Sequence, residues 1–130
     1  MLTSYRDLDA WNRSLALVVD VYRVTSKLPA AERFGLTAQM RRAAVSVSCN
    51  IAEGYGRATR GEYLNHLSMA RGSVNEVEAL CEVCKTLDLL GEVDLVAIRE
   101  QLTKVRQLLG RLREALGGGR SSSRVKRADA

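Results

Sequence analysis

Leu95, Ile98, Leu102, Val105, Leu109, Leu112 and Leu116 recur at alternating steps of three and four. Only an α-helix gathers residues at that spacing onto one side, so the last third of the ordered-looking sequence must form a helix with one buried stripe. The same period returns elsewhere. Leu8, Trp11, Leu15, Val18, Val19 and Tyr22 predict a stripe on a first helix over about residues 7 to 27, with Asp7 as its N-cap. Met40, Ala43, Ala44, Val47 and Ile51 do the same for a second helix over about 37 to 55. Leu64, Leu67, Ala70, Val74, Val77, Cys81 and Cys84 mark a third, over about 62 to 90, with Gly91 as its C-terminal cap. The fourth covers about 95 to 116 and ends at Gly117.

No stretch sustains a two-residue alternation, and the single proline, Pro29, lies between the first and second helices, where it can start a short new turn. Between the second and third helices, Thr59 followed by Glu62 matches a capping box. Short connections between long helices make antiparallel neighbours. The expected fold is all-α: an antiparallel up-down-up-down four-helix bundle over residues 1–116. The remaining "GGGRSSSRVKRADA", 117–130, holds glycine, serine and basic residues and is expected to be a flexible basic tail.

Of the formal net charge of +5, that tail supplies +3, which leaves +2 for the body. A basic tail on a near-balanced body predicts weak, salt-sensitive attraction to polyanions such as RNA or DNA. No run approaches the roughly 20 apolar residues of a bilayer crossing. The N-terminus lacks the apolar core of an export signal, and three cysteines without such a signal fit reduced thiols. The expected location is cytoplasmic, without membrane attachment.

The middle helices carry a second pattern. Gln39, Arg42, Ser46, Asn50, Glu53 and Arg57 trace one side of the second helix, and Glu62, His66, Met69, Ser73 and Glu76 trace one side of the third. A solvated helix face usually carries long Lys and Glu side chains. Ser46 and Asn50 are short and disfavour helix interiors, but they suit close helix approach with buried hydrogen bonds. A semi-buried network joining Ser46, Asn50 and Glu53 to Ser73 and Glu76 is therefore expected, within one chain or between chains. A plain wet face and a ligand site are the alternatives.

Catalytic constellations are scarce. His66 is the only histidine, and a nucleophile, base and orienting group are not recognisable around it. Cys81 and Cys84 form a C-x-x-C inside an apolar helical segment, where buried inert thiols are expected. A metal-binding or redox bundle using Glu53, Glu76, Cys81 and Cys84 is a rival, but it lacks the Glu-x-x-His repeat of such bundles. "GYGRATRG" lacks the ending and spacing of phosphate-binding loops. Arg57 and Arg60 beside a helix start, with Arg41 and Arg42 further along, are candidate contacts to a nucleic-acid backbone.

The segments "YRDLDAWNRSLALVVDVYRVTSKLP", "FGLTAQMRRAAVSVSCNIAEGYGR" and "EYLNHLSMARGSVNEVEALCEVCKTLDLL" resemble the four-helix-bundle proteins encoded in intervening sequences of bacterial large-subunit ribosomal RNA genes, a ribosomal-protein-like family. The most specific residues are Gln39, Arg41, Arg42, Ser46, Asn50, Ile51, Ala52, Glu53, Gly54, Gly56 and Arg57, followed by Ala70, Gly72, Ser73 and Glu76. Val47 and Cys49 depart slightly from the pattern. That family is similar to the accessory variability protein of diversity-generating retroelements. The resemblance implies a ring-shaped homopentamer, and for the retroelement relatives also nucleic-acid and reverse-transcriptase binding. Gly72 lies within a helix, where close backbone approach would account for it. A non-enzymatic module without cofactor or metal, binding nucleic acid with low sequence specificity, is the expected function. A protein-partner scaffold such as a reverse-transcriptase accessory factor is the alternative.

Overall fold

The computed structural model describes residues 2–117; of the tail expected over 117–130, all but Gly117 lies outside them. Four helices make up the chain: α1 (Asp9–Thr25), α2 (Leu36–Tyr55), α3 (Arg60–Thr86) and α4 (Glu92–Ala115). Short 3-10 turns at Tyr5–Asp7 and Ala30–Glu32 precede α1 and α2. Each helix packs against two neighbours in the cycle α1–α2–α3–α4–α1, which is the up-down-up-down arrangement. No helix of the described residues is long and apolar enough to cross a membrane.

The core follows the sequence pattern on three of the helices. Leu95, Ile98, Leu102, Val105 and Leu109 are buried, and Leu112 and Leu116 pack against them. On α2 the five expected residues are buried together with Ser48 and Gly54. On α3 the expected stripe holds from Leu67 to Cys84, and Leu64 is half-buried.

On α1 the expected stripe holds in part: Leu8 is buried and Trp11 and Val18 pack against the core, but the buried face is rotated from the rest of it. Ala10, Ser14, Leu17, Val21 and Val24 face the core, whereas Leu15, Val19 and Tyr22 are exposed. Apolar residues occupy more than one side of this helix, so two phases are available. Small residues decide between them. Ala10 and Ser14 let α1 close on α2, where the Ser14 and Ser48 hydroxyls meet at 2.8 Å in the interior. Ser14 donates to the Trp11 carbonyl, so Ser48 donates to Ser14.

Caps also shift some boundaries. Asp7 caps no helix start; with Ser4 it closes the first 3-10 turn, its carboxylate accepting from the Thr3 and Ser4 N–H groups, which holds its pKa below the usual carboxylate value. Helix α3 stops at Thr86 because Asp88 takes a left-handed φ of 59°, which turns the Leu89 N–H back to the Cys84 carbonyl. Gly91 is therefore the N-cap of α4 rather than the end of α3. Pro29 caps the second 3-10 turn, Thr59 caps α3 by accepting from the Glu62 N–H, and Gly117 follows α4 with φ of +82°.

The α1 phase has a direct consequence for stability. Leu17→Ala removes a fully buried side chain and should cost about 3 kcal/mol in urea unfolding. Leu15→Ala should cost less than about 1 kcal/mol. Equal costs would contradict this packing.

Candidate functional site

Helices α2 and α3 make the most extensive contact in the molecule. Gly54 makes that contact possible: a Cβ there would lie 2.9 Å from the His66 Cβ and 3.0 Å from the Tyr63 ring. Backbones this close leave room only for short side chains, and the polar residues in the seam must find partners there.

They do so in one directed chain. The Arg57 Nε donates to His66 Nε2 at 3.2 Å. That leaves the proton of the neutral ring on Nδ1, which faces Asn50 Oδ1 at 3.2 Å. Asn50 Nδ2 donates to the Ser46 carbonyl at 2.9 Å and to Ser46 Oγ at 3.1 Å. Ser73 Oγ donates to the same hydroxyl at 2.9 Å. Among the described residues, no fully buried side-chain polar atom lacks a partner. Hydrogen bonds within the chain thus join Ser46, Asn50 and Ser73, three of the five residues expected to share a network, through His66 to Arg57.

Its membership differs from the expectation at four places, Arg57 being one of two additions. Ser46, Asn50 and Ser73 are central. Glu53 sits at the solvent edge, exposed, with its carboxylate 3.8 Å from His66 Nδ1. Glu76 is exposed and joins no hydrogen bond of the network. His66, expected on a plain ridge, is the buried bridge between the two helices. Its register with Asn50 across the turn was the signal: a lone histidine opposite an asparagine, at the level of a helical glycine. Gly72 has nothing within 4 Å of where a Cβ would stand, so no close approach within the chain explains it.

The four arginines do not form one patch. Arg57 is held by His66, and the Arg60 guanidinium donates to the Leu116 carbonyl at the end of α4. Arg41 and Arg42 instead line a groove of about 710 Å³ beside α1. Arg41 lies 4.4 Å over the Tyr22 ring and donates to Thr25 Oγ1 at 2.9 Å. Arg33 and Phe34, which the sequence reasoning passed over, complete that groove. The adjacent Arg-Phe pair just before a helix start was their only signal.

The rival metal site is not assembled. Cys81 and Cys84 are buried, whereas Glu53 and Glu76 are exposed, and no three metal-ligating side chains cluster among the described residues. Burial pushes the Cys81 thiol up to about 12, with the Cys84 thiol adding to it, and burial raises Cys84 too. Such thiols are protonated and inert at neutral pH. Cys49 is the exposed one.

With this geometry in place, comparison with known proteins is informative. The model of a family described as "23S rRNA-intervening sequence protein" matches residues 6–111. The chain belongs to that family. A solved structure similar to this chain is that of a Bacteroides thetaiotaomicron protein of unknown function described as from the S23 ribosomal protein family. It shares 22% identity with this chain, covering 79% of this chain and 96% of its own, with a TM-score of 0.72. At that identity the likeness concerns the fold. No curated protein matches the chain.

The seam makes opposite demands on two glycines of this family member. Gly54→Ala should destabilise by roughly 1–3 kcal/mol, because its methyl meets the His66 side chain. Gly72→Ala should stabilise the isolated chain by about 0.5–1 kcal/mol through helix propensity. Chemical denaturation of both variants checks the pair, and a neutral Gly54→Ala would contradict the close approach.

Proposed function

We propose that this intervening-sequence protein is a non-enzymatic, cytoplasmic assembly subunit. Copies close into a ring, a pentamer by family resemblance, that binds nucleic acid with low sequence specificity. The hydrogen bonds of the polar seam run inside the chain, which favours other surfaces for assembly.

Two separate apolar patches carry this reading. Leu15 and Val19 project from α1, Val19 with 63% of its surface exposed. Val83 and Leu87, on and just after α3, and Val93 and Val96 on α4 are individually exposed, and in this proposal they act as a second patch. Helices α1 and α3 stand at opposite corners of the bundle, since each packs against α2 and α4. Two unlike patches at different corners suit a head-to-tail interface, in which one patch of each copy meets the other patch of the next. Such an interface generates a ring when its rotation closes. Apolar surface left at two corners of a small protein is costly unless covered.

Charge supports the second half of the proposal. The chain carries a formal +5, and its groove arginines are unpaired by carboxylates among the described residues. Nothing comparable recommends an enzyme: the thiols are buried, and the histidine's ring nitrogens both have partners within the seam.

Light scattering tests the assembly. The parent chain should have the mass of a closed oligomer. Val19→Asp and Val96→Asp should each give folded monomers, and mixing the two should give a dimer, because each retains the patch that the other lacks. A monomeric parent would remove the ring. Added single-stranded RNA should bind at low salt and weaken by at least about tenfold between roughly 50 and 200 mM salt. Salt-independent binding would remove the nucleic-acid reading.

A further inference from the structure

We infer that the groove between α1 and the start of α2 is a stacking site for unpaired bases of single-stranded nucleic acid. This rests on the nucleic-acid reading above and assigns that activity to a place. The observation is a pairing of flat rings with fixed cations around one opening. Phe34 is 84% exposed, with the Arg33 guanidinium 4.7 Å over its ring. Tyr22 is 43% exposed, with the Arg41 guanidinium 4.4 Å over its ring. Both pairs line the same groove, with Arg42 and Val45 beside them.

Several features of this groove are unfavourable in the isolated chain and are relieved by one kind of occupant. An almost fully exposed phenylalanine leaves apolar surface in water. Three arginines around one opening repel one another. None of the nine lining residues is acidic, and among the described residues Arg33, Arg41 and Arg42 make no ion pair. An occupant with flat π faces and regularly spaced anions answers both costs. Bases stack on aromatic rings and guanidinium planes, and phosphates neutralise the cations.

The Arg41 plane is held in advance. Arg41 is fixed by the Thr25 hydroxyl at 2.9 Å and the Tyr22 carbonyl at 3.3 Å, so little entropy remains to be lost when a ligand arrives. The volume of about 710 Å³ lies within the range of roughly 300–1,000 Å³ typical of ligand clefts. A second copy presenting the same groove would bring like charges together, which disfavours self-pairing here. Duplex nucleic acid keeps its bases stacked on one another and offers this groove only its backbone.

The test uses the full chain and a fluorescently labelled, non-self-complementary RNA oligonucleotide, read by anisotropy. Phe34→Leu keeps an apolar side chain of similar reach and removes the ring. It should weaken single-strand binding by about tenfold. The parent should bind the single strand more tightly than a duplex of equal length, and Phe34→Leu should reduce that preference. Arg42→Gln should weaken binding and lower the salt slope by about one. Unchanged RNA affinity in Phe34→Leu, with binding lost instead in an Arg57→Gln, Arg60→Gln variant, would overturn the groove while leaving nucleic-acid binding intact. No binding by the parent would remove both. Unchanged affinity with an altered mass in light scattering would make the groove a subunit contact and overturn the inference.

Discussion

The bundle depends on how closely α2 and α3 approach at Gly54. A glycine there removes the one side chain that would hold the helices apart, and its side of the seam carries Ser46, Asn50, His66 and Ser73 beside the Tyr55–Tyr63 ring pair. Polar groups brought this close together are costly if any is left without a partner, so the energy depends steeply on register. A sliding of α2 along α3 by one turn would separate Ser46 from Ser73 and Asn50 from His66. Apolar burial drives the collapse of the bundle, and the seam selects which collapsed arrangement is kept.

The seams around α2 and those around α4 are built differently. Beside α2 the contacts are short hydroxyl and amide bonds near the interior: Ser14 with Ser48, Ser46 with Ser73, Asn50 with His66. Between α3 and α4 they are long side chains meeting at the surface, such as Arg106 with Glu78 and Arg99 with Glu82. Exposed ion pairs of that kind contribute little and tolerate slippage. The specificity of the fold is thus concentrated on α2, the helix richest in small residues.

Much of the fold was legible in the sequence because α4 and α2 each carry a single apolar stripe, for which only one phase buries the large side chains. Helix α1 was misjudged for the opposite reason. With apolar residues on several sides, its phase is set by where its small residues let α2 approach, which is a tertiary fact. The end of α3 was missed because an aspartate, not a glycine, adopts the left-handed turn. Within the candidate site, periodicity placed Ser46, Asn50 and Ser73 correctly on facing sides. It could not say that Glu76 stays exposed outside the hydrogen bonds or that His66 reaches across, since a ridge of residues spans a wider arc than a seam. The arginines were recognisable as a type but not as a place: the fold spends Arg57 on the His66 ring and Arg60 on the end of α4, and leaves Arg41 and Arg42 beside two aromatic rings.

The most direct test of the seam is a double-mutant cycle between Asn50 and His66, with Asn50→Ala, His66→Ala and the double variant compared by denaturant unfolding. Because each residue leaves the other unsatisfied in a half-buried site, the two changes together should cost less than their sum, with a coupling of about 1 kcal/mol or more. Additive costs, within about 0.3 kcal/mol, would mean that the two side chains do not depend on one another and would contradict the account of α2 and α3.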